Sequence, residues 1–176
     1  LEPDRGPQFI GADPIWDGSS VVEGIGSHGE GMLVGIIDSG INGDHPAFGA
    51  VADDGYVHVN PFGDGVFRGE CSATLVCNNK LVGRYNMVGS APSSEDEDGH
   101  GTHVASTAAG NIMNGVPLPD AEGNPLDYTL GGMSGVAPRA NIVAFRVCNP
   151  TCAGADIIAA IEIAIDLQVD VLNHSI

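Results

Sequence analysis

Two short runs of nearly continuous apolar residues, Met32 to Ile37 and Asn141 to Val147, with a third strand-like run at Val169 to Ile176, decide what this chain can build. A strand buried on both faces reads this way, whereas a strand with one wet face alternates. Between the second and third runs, Ala155 to Leu167 reads as a helix, with Ile157, Ile158, Ile161 and Ile165 on one face. Before the second run, Gly99-His100-Gly101-Thr102-His103 opens another helix that continues to Ala109 and stops at Gly110. Its small residues Ala105, Ser106, Ala108 and Ala109 suit a helix lying close on a sheet. The order strand, helix, strand, helix, strand predicts an α/β fold with a mainly parallel sheet flanked by helices in three layers.

The rest of the chain is turn-rich, with 26 glycines and 11 prolines. Residues 1–30 read as an irregular lead-in with Trp16 as a lone large anchor. Residues 43–97 read as a loop-rich insertion, long enough to carry hairpins or a lid, and residues 111–133, with Pro117, Pro119 and Pro125, as another loop-rich insertion. The 176 residues amount to about one domain. Twenty-three acids against six bases leave a net charge of −17. Such a chain lacks the clustered lysines and arginines that a nucleic-acid partner requires, and its acidity reads as a solvated surface. No apolar run nears the ~20 residues of a membrane span. The chain starts without Met or a charged-then-apolar leader and stops inside a strand-like run, which suggests a truncated piece of a longer precursor.

Four cysteines allow three connectivities, and neither local pair has zinc-ribbon spacing. Locality favours Cys71–Cys77 and Cys148–Cys152. Small disulfide loops belong to an oxidising compartment, hence a secreted or extracellular protein; the alternative is four free thiols.

In open parallel sheets, functional groups gather at the carboxyl ends of strands. Asp38 sits at such an end, before Ser39-Gly40, and a buried carboxylate there requires donors. His100, opening the first helix, can supply one. Alone, such an Asp would be a turn former and such a His structural. Together they form the base-and-orienter half of a nucleophilic triad. The glycines beside His100 would let a substrate backbone approach closely. A competing reading makes His100 and His103 zinc ligands with Asp38, Asp98 or His45. It lacks the glutamate of an H-E-x-x-H helix.

Ile36-Ile37-Asp38-Ser39-Gly40-Ile41 and Asp98-Gly99-His100-Gly101-Thr102-His103-Val104-Ala105 resemble the Asp and His motifs of the subtilisin-like serine proteases, the subtilases. Further matches follow in register: His45-Pro46, Gly135-Val136-Ala137-Pro138, and Val169 to Ile176. The resemblance covers residue 31 to the end and implies the N-terminal part of a peptidase domain. It implies Asp38 and His100 as two members of a catalytic triad, with His103 a supporting residue. It implies that Ser175 and Ile176 begin the edge that pairs with an extended peptide substrate. Gly69-Glu70-Cys71 and Cys77 to Gly83 resemble the larger plant-type branch and its bacterial relatives.

The departures matter equally. No Gly-Thr-Ser-Met-Ala motif for the nucleophile occurs in the 176 residues. Ser134, in Gly132-Met133-Ser134-Gly135, precedes a turn rather than a buried helix and aligns with no nucleophile. Asn173 falls inside a strand and does not match the oxyanion residue. No cofactor is expected of these residues; calcium stays open for the longer parent, but the usual site is not evident, since where compact members carry a calcium-binding Asp this chain has Ala47. The acid run Glu95-Asp96-Glu97-Asp98 could hold a cation but reads as a solvated loop. The expectation is thus a fragment of a secreted endopeptidase, itself inactive and prone to self-association. The alternative is a catalytically silent, subtilase-like secreted binding module.

Overall fold

The computed structural model describes residues 5–120 and 122–176. Two single-turn helices, α1 (Gly6–Phe9) and α2 (Asp13–Trp16), each with proline as its second residue, punctuate the lead-in, which was expected to be irregular. Trp16 anchors it, donating its indole N–H to the Val136 carbonyl at 3.0 Å and stacking on His28. There follow β1 (Leu33–Asp38), a 3₁₀ turn (Pro46–Phe48), β2 (Arg68–Gly69), β3 (Leu81–Asn86) and α3 (His100–Ala109). The chain continues with β4 (Met113–Pro119), β5 (Pro125–Met133), β6 (Asn141–Arg146), α4 (Gly154–Asp166) and β7 (Val171–His174).

The main sheet is parallel, in the order β2-β3-β6-β1-β7. Successive residues of a strand point to opposite faces, and this sorts β1 into two sets. Val34 and Ile36 pack with Ala105, Ala109, Ile142 and Ala144 in the layer under α3. Leu33 and Ile37 pack with Val143, Phe145, Ala160 and Ala164 in the layer under α4. By the same alternation Asp38 continues the Val34–Ile36 face, so the fold delivers its side chain to the side on which α3 lies.

Three expectations need correction. The segment 43–97 contains β3, a sheet strand between β2 and β6 that the turn-rich reading passed over. The insertion 111–133 is an antiparallel hairpin of β4 and β5, separate from the main sheet. Helix α4 buries Ala160 and Ala164, with Ile157 and Ile161 partly covered, while Ile158 and Ile165 face outward. The small residues lie nearest the sheet because they allow the closest approach.

Candidate active site

Asp38 ends β1, is 1% exposed, and turns its Oδ1 toward two donors. The Ser39 N–H donates to it at 2.7 Å, and Nδ1 of His100 lies 2.8 Å from the same oxygen. A carboxylate only accepts, so this contact places the imidazole proton on Nδ1 and leaves Nε2 with its lone pair. His100 is the first residue of α3, and half of its side chain is exposed. The hydrogen bond to Asp38, then that carboxylate's charge, raise the His100 pKa above its ordinary value; Asp98 and Asp96 add to the effect. A buried acceptor, a tautomer-fixed ring and an open ring face are the parts of a general base.

Close backbone approach makes this contact possible. A Cβ on Gly101 would stand 2.3 Å from the Gly40 carbonyl oxygen, so only glycine lets the start of α3 rest on the turn after β1. Gly101 therefore serves packing within the protein.

Both residues line a cleft of about 460 Å³ together with Ser175, Ile176, Asn149 and Pro150. One wall is the loop closed by the Cys148–Cys152 disulfide; the second disulfide, Cys71–Cys77, lies away from the cleft. The cleft thus joins all four residues expected at the site: Asp38, His100, Ser175 and Ile176. His103, His45 and Ser134 instead line another cavity of about 310 Å³. Among the described residues no cluster of three His, Cys, Asp or Glu side chains could hold a metal ion. With His100 turned to Asp38 and His103 in another cavity, the zinc arrangement is not formed.

The subtilase family model matches residues 29–176. The chain belongs to the subtilase family. Among curated relatives, subtilisin-like protease SBT2.1 of Arabidopsis thaliana is 38% identical, covering 97% of this chain and 21% of its own length. Subtilisin-like protease SBT5.4 of the same plant is 35% identical over 85% of this chain and 20% of its own length. This subtilase chain thus spans about a fifth of the relatives it matches. A solved chain of the periplasmic assembly of the ESX-5 inner membrane complex shares the fold, with TM-score 0.50 and 22% identity. That match covers 98% of this chain and 37% of the other.

The acid run of this subtilase is only in part the solvated loop its composition suggests: Glu97 and Asp98 are exposed, Glu95 is half-buried and Asp96 is buried. Glu95 pairs with Arg84 of β3 at 2.7 Å, and Glu97 with Arg146 of β6 at 2.9 Å. Both guanidinium groups are buried, and Arg146 also donates to the carbonyls of Ser93 and Glu95 at 3.2 and 2.6 Å. Asp96, between them, is 7% exposed. Sequence reasoning missed both arginine partners; the one available signal was that acids and arginines must pair when they share a core.

Proposed function

We propose that these 176 residues supply the Asp–His half of the catalytic centre of an extracellular subtilisin-like serine endopeptidase. The observation that carries this reading is the 2.8 Å contact between buried Asp38 and half-exposed His100, inside a cleft that also contains Ser175 and Ile176. His100 Nε2 takes the proton from a serine hydroxyl as its oxygen attacks the peptide carbonyl carbon. Asp38 holds the tautomer and stabilises the imidazolium. The imidazolium then protonates the departing amine, the C–N bond breaks, and water hydrolyses the acyl-enzyme by the same base. The chemistry needs no cofactor, and the substrate is an extended peptide that adds to the edge at Ser175 and Ile176.

The nucleophile of this reading belongs to sequence outside the 176 residues, since no serine among them shares the cleft except Ser39 and Ser175. Ser39 donates to Asp96 and Ser175 to Asn173, so neither is bonded to His100. The 176 residues alone are therefore expected to leave peptide bonds intact, with residual catalysis at most. The two disulfides support an extracellular setting.

The test pairs the 176-residue chain with the complete protein encoded by its open reading frame. Each is incubated with casein and with a fluorophosphonate probe of active serines. The reading expects turnover and labelling in the complete protein, both lost in His100→Ala, and neither in the short chain. Covalent labelling of the short chain at any serine would overturn it. A complete protein that neither labels nor turns over casein would instead favour the silent binding module.

A further inference from the structure

Neither Asp38 nor His100 is held in place by its own surroundings alone. The carboxylate of Asp96 connects their supports. Its Oδ1 accepts from the Ser39 hydroxyl at 2.9 Å and from the Gly99 N–H at 2.9 Å. Its Oδ2 accepts from the Thr102 N–H at 2.8 Å and the Thr102 hydroxyl at 2.6 Å. Ser39 Oγ in turn accepts from the Gly101 N–H at 2.9 Å, and the Ser39 N–H binds Asp38 Oδ1. One side chain therefore grips the residue after Asp38 and residues on both sides of His100.

The helix explains why a carboxylate stands there. Gly99, at the N-cap of α3 with φ 95°, has no side chain to cap the first turn. Asp96 reaches in from outside the helix and satisfies the free N–H groups with negative charge, which the helix N-terminus favours. Burial alone would raise its pKa; the bonds from Thr102, Gly99 and Ser39 outweigh burial and hold it below the ordinary carboxylate range. The flanking ion pairs of Glu95 with Arg84 and Glu97 with Arg146 tie the segment to β3 and β6.

Resting on the reading of Asp38 and His100 as a catalytic pair, we propose that Asp96 is a positioning residue that sets the Asp38–His100 hydrogen bond through Ser39 on one side and Gly99 and Thr102 on the other. It touches neither catalytic side chain. An ordinary helix cap would support α3 and leave His100's titration unchanged in a folded protein. A positioning residue would govern that titration.

The 176-residue chain allows the test without turnover. His100 is titrated by NMR through its ring carbon–proton signals, and its low-field Nδ1 proton is observed, with His45 and His103 as internal references. Three variants are compared with the unchanged chain: Asp38→Asn, Asp96→Asn and Ser39→Ala. Ser39→Ala decides, because it breaks the link while altering no charge and keeping the Asp96 bonds to Gly99 and Thr102. The expected result is a His100 pKa moved toward the ordinary value of about 6.5 and a weakened Nδ1 proton signal in Ser39→Ala and Asp96→Asn. The proposal is overturned if Ser39→Ala titrates like the unchanged chain while Asp38→Asn moves His100. If Asp38→Asn also leaves His100 unmoved, the catalytic pair itself is wrong and the positioning role falls with it. Should Asp96→Asn fail to fold, the Ser39→Ala titration settles the question by itself.

Discussion

Lys80 offers a sharp test of how this fold tolerates buried charge. Its side chain is fully buried, and Nζ donates to the carbonyls of Pro138 and Ala140 at 2.8 and 2.6 Å. Burial pushes its pKa down from 10.5 to about 7. Between those values the unfolded chain holds a proton that the folded chain has released, so stability rises with pH. The contribution is complete above 10.5 and is lost as pH falls to about 7. The slope is about 1.4 kcal/mol per pH unit, and the gap of about 3.5 pH units amounts to about 5 kcal/mol as an upper figure. The two carbonyl acceptors favour the ammonium form and reduce it. Lys80→Met removes the titration and takes a donor from two carbonyls, a pH-independent cost of about 1–3 kcal/mol for each one left unsatisfied. Urea unfolding followed by circular dichroism at pH 7, 8, 9 and 10 should show the unchanged chain gaining stability relative to Lys80→Met at each step. His58, whose pKa burial lowers to about 4, has finished titrating below this range. Parallel pH dependence in the two proteins would show that folded Lys80 keeps an ordinary pKa, and the argument from burial would fail.

Arg84→Met should cost about 1–3 kcal/mol in the same urea assay, because it takes a buried donor from Ser94 and the Ile41 carbonyl while Glu95, 39% exposed, can turn to water; a more stable variant would contradict the reasoning. Gly101→Ala should destabilise the chain despite alanine's helix preference of about 1 kcal/mol, since its Cβ would meet the Gly40 carbonyl at 2.3 Å. A more stable variant in thermal melts would refute that close contact. Mass spectrometry without reduction should find no alkylatable thiols, and reducing both bridges should lower stability by about 2 kcal/mol per small loop on the chain-entropy model. Val171, Leu172 and Ile176 are exposed at the free edge of β7, so the 176-residue chain should associate in a salt-dependent way as its −17 charge is screened; a strictly monomeric sedimentation profile at high salt would exclude it.

The strands β1 and β6 were legible because their burial matches their composition: apolar residues go inside, and the runs around Ile36 and Val143 declare themselves. The helices α3 and α4 showed in their spacing and end signals, and β7 in its place after α4, although Val171 and Leu172 are exposed. Asp38 and His100 were legible for a different reason: each ends or begins an element whose boundary the sequence marks, with Ser39-Gly40 after one and Gly99 before the other. The faces of α4 were misread because helical spacing cannot rank isoleucine against alanine for the inner position. That choice depends on how close the sheet lies, which only the assembled layers determine.

What remained hidden has one physical origin. Strand β3 passed unnoticed because Lys80 and Arg84 read as surface residues, yet both are fully buried. The acid run read as solvated because four consecutive acids ordinarily are, yet Arg84 and Arg146 reach it from beneath the sheet's edge. Burying a charge without a partner is costly. The two misreadings are therefore halves of one feature: the arginines could enter the core because the acid run meets them there. Periodicity cannot reveal it, since the partners lie 11 positions apart for Arg84 and Glu95 but 49 apart for Arg146 and Glu97. The consequence reaches the candidate site, because the segment so anchored is the one that carries Asp96 to the start of α3. An account of His100 built only from its own motif omits the two buried cations that keep the motif's support in place.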